Sequence, residues 1–308
     1  MRGKNGFALV ITLIITALLV AITVEFIHDV FVETSLRHSY ADAQQASLAA
    51  AAGAAGAVRL IETVLAGQNY TSLTDAWAAP GEITDERGTV SISITEESGK
   101  LDLNSIVFPN GTLNDACYRS AQRIFSGLGL PLDLLEAVAD WVDSDDSQRP
   151  GGAETRFYGA LEPPYAAKNA PLESYEELRM VAGFDEKTLV KLNPYVTVYP
   201  ENCGGPYSRI NVNTAPAEVL AALDERMSSD LAARLVEYRR TTPIRNPSDI
   251  TAIPGFETVG IALRDKITVK GTVFRIQSRA RVNETVRLVE AAVRMTGTQT
   301  TILYWREL

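Results

Sequence analysis

Histidine and cysteine are both scarce in this 308-residue sequence, which contains two of each. His28 and His38 lie ten residues apart on one predicted helix, so they do not face a common point as a pair of metal ligands would. A histidine-dependent catalytic centre is therefore not expected, and we predict that the protein is not an enzyme. Cys117 and Cys203 could form a disulfide in an oxidising compartment, where closing that loop would contribute about 4 kcal/mol, or remain two separate buried thiols.

Charge is absent from one long stretch near the N-terminus. Residues 7–24 contain no Asp, Glu, Lys or Arg, and at about 1.5 Å per residue such a helix approaches the ~30 Å hydrocarbon core of a bilayer. Arg2 and Lys4 precede this stretch, which favours a cytoplasmic N-terminus and export of the rest of the chain. A cleavable signal peptide has a similar pattern. Here, however, the helical pattern continues to about Gly67 without a proline, so we expect a single membrane crossing.

The start of the apolar stretch, Gly6 followed by Phe7, resembles the class III leader of type IV pilins and type II secretion pseudopilins. The resemblance implies that a prepilin peptidase cleaves after Gly6 and methylates the new N-terminal Phe7. Most members of that family carry Glu at the fifth mature position, where this sequence has Ile11. A carboxylate inside a membrane needs a partner. Its absence suits a subunit with no neighbour above it, as at the tip of a filament.

Beyond residue 25 the sequence patterns predict an α+β fold. The Ala-rich residues 46–57 include Gly53 and Gly56, which favour close packing against a helix or sheet. Residues 89–95 alternate as a strand and 100–106 could add a second. Alternation returns in two strands joined at Asn283-Glu284, with an edge strand at 300–305. The patterns between these regions are mostly helical, with helices predicted at 113–128 and 132–142, and indicate an insertion.

We therefore expect a pilin-like long N-terminal helix plus an antiparallel sheet, interrupted by a large, mostly helical inserted domain with helical-hairpin repeats. The expected segments are a leader (1–6), the transmembrane half of the long helix (7–24), its periplasmic half (25–68), the first part of the core (69–103), the inserted domain (104–265) and the closing strands of the core (266–308).

An acidic stretch in the insertion, DWVDSDDSQRPGGAE, is the candidate metal site. Counting Asp143 as position 1 places Asp145 at 3, Ser147 at 5 and Glu154 at 12, the ligand spacing of an EF-hand loop, although position 6 is Gln148 and not Gly. Oxygen ligands without a nearby His or Cys favour calcium. The alternatives are a solvated acidic turn and a paired-carboxylate hydrolase. The candidate ligands are Asp140, Asp143, Asp145, Asp146 and Glu154.

A weak repeat with an offset of 72 residues lies in the insertion, where ELRMVAGF at 177–184 corresponds to DITAIPGF at 249–256. Both copies are predicted to be small helical hairpins. The turn from Ile253 to Phe256 resembles that of helix-hairpin-helix modules, which grip a phosphate through backbone amides. A minor pilin of a type IV or DNA-uptake machine is therefore an alternative. Without its leader the chain has 27 basic against 38 acidic residues, so binding to nucleic acid is not favoured.

The order and spacing of ADWVDSD, GAETRFY, PPY, NAPLESYEELRMVAGF and INVNTAPAEVLAALD are similar to those of the general secretion pathway protein K family, minor pseudopilins of type II secretion. The resemblance covers roughly residues 7–260. It implies a pilin-like core, a calcium-binding inserted domain and a tip position above the I and J minor pseudopilins. Absence of the fifth-position Glu is also a trait of that family.

The expected function is that of a non-enzymatic tip subunit, which helps to initiate assembly of the pseudopilus and export of proteins across the outer membrane. The expected location is the bacterial inner membrane, with a single span and a periplasmic head that is assembled into the pseudopilus. The expected partners are the I and J minor pseudopilins, the major pseudopilin and the prepilin peptidase, with the secretin and exported substrates as further candidates.

Overall fold

The computed structural model describes residues 4–199, 209–297 and 299–308, and one very long helix, α1 (Lys4–Gly67), begins the chain. Among those residues, only the helix that continues from Phe7 is both long enough and apolar enough to cross a membrane. The large apolar side chains of α1 from Phe7 to Tyr40 are exposed, as is Leu48, whereas Ala46 and Ala54 are fully buried. The first half of α1 is thus uncovered, and the second half packs on the rest of the protein.

A five-stranded antiparallel sheet packs against the second half of α1. The described strands are, in chain order, β1 (Gly81–Asp85), β2 (Gly88–Glu96), β3 (Leu101–Asp102), β4 (Val196–Thr197), β5 (Ile210–Asn211), β6 (Ile267–Thr268), β7 (Val273–Val282), β8 (Thr285–Thr296) and β9 (Gln299–Glu307). Strand order in the sheet is β1-β2-β7-β8-β9. A Cβ on Gly53 would lie 2.8 Å from Cγ1 of Val90, so this glycine permits the close helix-to-sheet packing that its position predicts.

Most of the predicted strands are confirmed, as β2, β7, β8 and β9. Asn283, at the turn between β7 and β8, has a φ of 52°, which asparagine tolerates in tight hairpins. β1 has no counterpart among the predicted strands because all five of its residues are exposed and show no apolar alternation. The prediction of a longer strand at 100–106 is wrong. Only β3 forms there, outside the large sheet, and a 3₁₀ helix, Leu103–Ser105, follows it.

The chain leaves the large sheet after β2 and returns at β7, and residues 97–272 between these strands form the inserted segment. Its described helices are α2 (Asp115–Gly127), α3 (Asp133–Val142), α4 (Thr155–Tyr158), α5 (Glu186–Leu192), α6 (Ala217–Ala222), α7 (Ser229–Thr241) and α8 (Val259–Leu263). The predicted helices at 113–128 and 132–142 correspond to α2 and α3. The mixed α+β architecture with a helical insertion is therefore confirmed.

The inserted segment contains two modules of related construction, residues 101–199 and 210–269. Each begins and ends with a two-residue strand, and the two strands pair in parallel, β3 with β4 and β5 with β6. In the first module Asn104 Nδ2 donates hydrogen bonds to the carbonyls of Leu172 (2.9 Å) and Val198 (2.7 Å). Its Oδ1 accepts a hydrogen bond from the N–H of Leu172 at 2.8 Å.

Asn213 occupies the corresponding position of the second module and makes the same three contacts. Its Nδ2 donates to the carbonyls of Ile244 (2.8 Å) and Val269 (3.4 Å), and its Oδ1 accepts from the N–H of Ile244 at 2.9 Å. In both modules one side-chain amide, partly buried at Asn104 and buried at Asn213, thus ties the residues after the first strand to the residue after the last strand and to the segment before the hairpin. The sequence repeat therefore extends to a duplicated hydrogen-bond pattern.

The hairpin turns of the two modules also correspond. Gly183 and Gly255 have φ values of 83° and 92°, a backbone conformation that favours glycine. A Cβ on Gly183 would lie 2.8 Å from Cδ2 of Leu134 in α3, and one on Gly255 would lie 3.0 Å from Cδ2 of Leu231 in α7. Each turn joins a 3₁₀ helix, Tyr175–Met180 or Pro247–Ala252, to a short α-helix, α5 or α8, and packs on α3 or α7. The predicted helical-hairpin repeat is thus confirmed.

Glu96 lies at the junction between the large sheet and the inserted segment. Its Oε2 accepts a hydrogen bond from the Thr214 hydroxyl and another from Asn211 Nδ2 at 3.1 Å. Asn211 Nδ2 also donates to Oγ1 of Thr71 at 2.7 Å, and Thr71 Oγ1 accepts from the N–H of Gly271 at 2.8 Å. The end of β2, the second module and the chain returning to β7 are therefore held together by one buried polar cluster.

The junction also contacts the end of α1. Lys270 Nζ donates to the carbonyl oxygens of Leu65 (3.2 Å) and Gln68 (3.0 Å), two backbone acceptors that the helix end leaves unpaired. A Cβ on Gly271 would lie 1.8 Å from Oε1 of Glu96. Because a side chain at this position would displace the carboxylate, the returning chain passes the junction at a glycine.

Candidate metal site

The acidic loop begins where α3 ends, and the fold buries its first carboxylates. Asp140 on the last turn of α3 is fully buried, and Asp143 immediately after the helix is 1% exposed. Glu154 precedes α4 and is 2% exposed, whereas Asp145 is exposed. Carboxylate oxygens of Asp143, Asp145 and Glu154 all lie within 4.8 Å of one another. Three of the five predicted ligands are therefore brought to one point.

Glu154 is the most unusual member of this group. Both of its carboxylate oxygens are buried, and neither accepts a hydrogen bond from any residue that the structure describes. Burial, and then the neighbouring charges of Asp140 and Asp143, raise the pKa of Glu154 to about 7. A buried carboxylate without a donor is unfavourable unless a cation or a proton neutralises it. Glu154 is thus the residue that points most directly to a bound ion.

Asp140 has a different partner. Its carboxylate accepts hydrogen bonds from the backbone N–H of Arg149 (Oδ2, 3.1 Å) and from Arg149 Nη1 (Oδ1, 2.7 Å). Arg149 Nη1 also lies 2.6 Å from Oδ2 of Asp143. Burial raises the pKa of Asp140 even though the guanidinium opposes that shift. The structure therefore places Asp140 beside the three-carboxylate group, as a partner of Arg149.

Asp146, the remaining predicted ligand, lies on the exposed side of the loop. Its Oδ1 is 3.4 Å from Nδ2 of Asn169, which also donates to the backbone carbonyl of Asp145 at 3.0 Å. The side-chain oxygen Oδ1 of Asp145 accepts from the N–H of Ser147, and hydrogen bonding to Ser147 lowers the pKa of Asp145. Asp146 is therefore not a member of the three-carboxylate group.

Residues far away in sequence complete the walls of the site, and the sequence did not reveal them. Ser144 donates from its N–H (3.1 Å) and its hydroxyl (2.6 Å) to the carbonyl of Pro109. A Cβ on Gly111 would lie 2.8 Å from Oδ2 of Asp145, and the Gly111 carbonyl accepts from Arg149 Nη2. Arg149 was visible in the sequence as a cation among five carboxylates, which could have indicated an internal ion pair. The 109–111 turn has no sequence feature that indicates its contact with the acidic loop.

The donor set fits a hard divalent cation. The oxygen atoms come from Asp143, Asp145 and Glu154, no sulfur or imidazole is among them, and calcium accepts such ligands in flexible geometries. Gln148 stands where an EF-hand loop has glycine. Its Nε2 donates to the carbonyl of Gly152 at 2.8 Å, and this hydrogen bond joins two parts of the loop. The calcium assignment and its ligands stay a prediction.

Replacing Asp143 and Asp145 together with alanine is expected to remove the effect of calcium on thermal stability. The wild-type chain should melt at a higher temperature in calcium than in chelator, because an ion that binds only the folded state stabilises it. Differential scanning fluorimetry of the full-length chain in detergent measures both. Asp146→Ala is the control and should keep the calcium response. A double variant that responds like wild type would show that other residues hold the ion.

The hairpin turns suggested the nucleic-acid alternative. At both turns, acidic side chains of the chain itself already accept hydrogen bonds from backbone N–H groups. Glu257 Oε1 accepts from the N–H of Gly255 at 3.2 Å, and backbone N–H groups of the turn hold the pKa of Glu257 below its usual range. At the first hairpin Asp185 Oδ1 accepts from the N–H of Thr188 at 2.8 Å. A phosphate would have to compete with these acidic side chains, which disfavours nucleic-acid binding at either turn.

The remaining predicted sites are not resolved by the geometry. Gly6 and Phe7 lie in the first turns of α1, with Phe7 70% exposed, and cleavage and methylation there stay predictions. Cys117 is buried on α2. Cys203 lies outside the described residues, so the disulfide also stays a prediction.

Comparison with known proteins supports the architecture. Two family models, each described as type II secretion system (T2SS), protein K, match residues 99–201 and 210–270, nearly the same ranges as the two modules. Together they cover more than half of the chain. A chain of the crystal structure of the GspK-GspI-GspJ complex from the enterotoxigenic Escherichia coli type 2 secretion system has the same fold, with a TM-score of 0.74 and 22% identity over 90% of this chain and 99% of that one.

Curated relatives agree over most of their length. The type II secretion system protein K of Pseudomonas aeruginosa is 29% identical over 268 residues, 81% of this chain and 77% of its own. That of Klebsiella pneumoniae is 28% identical over 264 residues, 82% of this chain and 78% of its own. With the family models matched and the fold shared, this chain belongs to the type II secretion system protein K family.

Proposed function

We propose that this chain is the tip subunit of a type II secretion pseudopilus, acting by assembly and not by catalysis. The observation that carries the proposal is the inserted segment, which adds two modules between β2 and β7 and makes the head much larger than the sheet it interrupts. Such a head fits at the end of a thin filament but leaves no room for identical subunits along its side. Ile11, where most pseudopilins have Glu, supports the same position.

The first half of α1 supplies the anchor in this proposal. Its apolar residues from Phe7 onward would span the bacterial inner membrane once, with the head in the periplasm. A prepilin peptidase would cleave after Gly6 and methylate Phe7 before the subunit enters the filament. Past the membrane span, Phe26, Phe31 and Tyr40 are between 67% and 70% exposed, which favours contact with helices of neighbouring subunits.

The partners follow from this arrangement. The related chain was crystallised with GspI and GspJ, and we propose that this chain binds the I and J minor pseudopilins of its own system through the exposed face of α1. The major pseudopilin would then extend the filament below them. The head would initiate assembly and face the secretin and exported substrates. Calcium, held by Asp143, Asp145 and Glu154, would stabilise the first module.

Co-purification tests the proposal directly. Full-length chain in detergent is expected to form a stable three-way complex with the I and J minor pseudopilins from the same cell, in the presence and absence of calcium. Phe31→Ser with Leu36→Ser should weaken the complex, because these side chains are 70% and 65% exposed and apolar. Glu33→Ser with Arg37→Ser on the same helix is the control. No complex from folded protein under either condition would refute the tip assignment.

A further inference from the structure

Arg149 lies inside the acidic loop and contacts three carboxylates, two of the acidic stretch and one from the first turn of α3. Nη1 reaches Asp140 and Asp143, Nε is 4.0 Å from Glu136, and Nη2 donates to the carbonyl of Gly111. The side chain is only 16% exposed, and those of Asp140 and Asp143 are 0% and 1% exposed. The guanidinium is therefore a largely buried cation at the centre of the loop and not a surface ion pair.

Arg149 makes cross-links of the kind that a bound metal ion would make. It joins the end of α3 to the 109–111 turn, and its bond to Asp143 uses a residue that also belongs to the three-carboxylate group. A divalent ion at Asp143, Asp145 and Glu154 would join the same loop to α3 and to the start of α4. Glu154, which has no donor among the described residues, is left for the ion alone.

The two modules show why this loop needs an internal cation. In the second module α7 ends at Thr241 and the next helical turn begins at Pro247. In the first module α3 ends at Val142 and the corresponding turn begins only at Tyr175, with the acidic loop, α4 and residues 159–174 between them. A long connection costs more conformational entropy to order than a short one. Cross-links by a cation offset that cost.

We propose that Arg149 is a built-in counter-cation, which keeps the acidic loop folded when no calcium is bound and weakens calcium binding by its positive charge. The inference rests on the proposed calcium site. Arg149 is a positioning residue and not itself a ligand. Removing the guanidinium leaves the buried carboxylates of Asp140 and Asp143 without a compensating positive charge, although backbone N–H groups still donate to them, and this destabilises the apo form most. Removing it also takes a positive charge away from the ion, which strengthens the attraction of the carboxylates for calcium.

Arg149→Gln in the full-length chain in detergent is the decisive variant. In chelator its melting temperature is expected to fall by about 8 °C, and in saturating calcium by less than half of that. Isothermal titration with calcium chloride is expected to give a dissociation constant about tenfold lower than that of the wild type. Arg149→Lys keeps the positive charge but not the fork of N–H donors. It should bind calcium like the wild type, and its melting temperature in chelator should lie between those of the wild type and Arg149→Gln.

Arg179→Gln is the matched control, since Arg179 also pairs with a carboxylate of the inserted segment, Glu186, but is 55% exposed. Arg179→Gln should change neither the melting temperature in chelator and in calcium nor the dissociation constant of calcium. Equal losses of melting temperature in chelator and in calcium, or weaker calcium binding by Arg149→Gln, would overturn the inference. If neither the wild type nor the variant bound calcium, the proposed calcium site would be wrong. In that case the inference that Arg149 weakens calcium binding would also be wrong, and only a fall in the melting temperature of Arg149→Gln would support a structural counter-charge. If Arg149→Gln folds only with calcium present, that result supports the inference.

Discussion

Replacing Asn213 with leucine is expected to lower the free energy of unfolding by about 3 kcal/mol. The Asn213 side chain makes three hydrogen bonds to backbone groups of Ile244 and Val269, and the residue is 1% exposed. Leucine has a similar volume but no polar atoms, so it would leave the N–H and C=O of Ile244 buried without these partners. Chemical denaturation of the full-length chain in detergent measures the loss.

The duplicated modules supply an internal comparison for this prediction. Asn104→Leu removes the same set of bonds in the first module and is expected to cost a similar amount. Asn110→Leu is the control, because Asn110 is exposed and accepts one local bond from the N–H of Thr112. If Asn213→Leu cost no more than Asn110→Leu, the shared amide would not be a structural requirement of the modules.

Stability is expected to fall as the pH rises from about 4.5 to about 7, and Glu96 is a principal cause. Burial raises the pKa of Glu96 from its ordinary 4.5 to about 7, although hydrogen bonds from Thr214 and Asn211 oppose the shift. Because the folded state holds the proton more tightly, the stabilisation is fully present below pH 4.5 and is lost as the pH passes through about 7. The full change corresponds to about 3 kcal/mol.

Glu96→Gln isolates this contribution, since glutamine stays neutral throughout. The difference in unfolding free energy between variant and wild type should grow with pH and favour the variant above pH 7. Taking the difference at each pH removes the contributions of other groups, including Glu154. Denaturation curves between pH 4 and pH 8 are the measurement, and Glu82→Gln on the exposed strand β1 is the control. A constant difference would mean that folding does not raise the pKa of Glu96.

The sequence predicted those parts of the fold whose pattern is local. Helix α2 and strand β7 bury one face, and α3, β2 and β8 also carry apolar patterns in their own sequence, so local patterns revealed these elements. The strand β1 is exposed along its whole length and carries no such signal. The paired strands that open and close each module are only two residues long. They depend on partners about 60 to 100 residues away, which no local pattern encodes.

The candidate site shows the same limit. Spacing alone brought Asp143, Asp145 and Glu154 into one group, because a short loop keeps them close. The separate positions of Asp140 and Asp146 could not be predicted, since they depend on where Arg149 folds back and on Asn169 from a later segment. Counting carboxylates therefore identified the loop, whereas the fold was needed to show which three of them lie within 4.8 Å of one another.

The contact between Lys270 and the end of α1 has a mechanical consequence. In the proposed filament, a load along α1 would enter the head through the sheet packed on the second half of the helix and also at its last turn, where the Lys270 ammonium group donates to the carbonyls of Leu65 and Gln68. From there it would pass through Thr71 to Asn211 and Glu96 within a few ångströms. Thr71, Asn211 and Glu96 are themselves buried. At the proposed tip position the head would therefore move together with the helix beneath it.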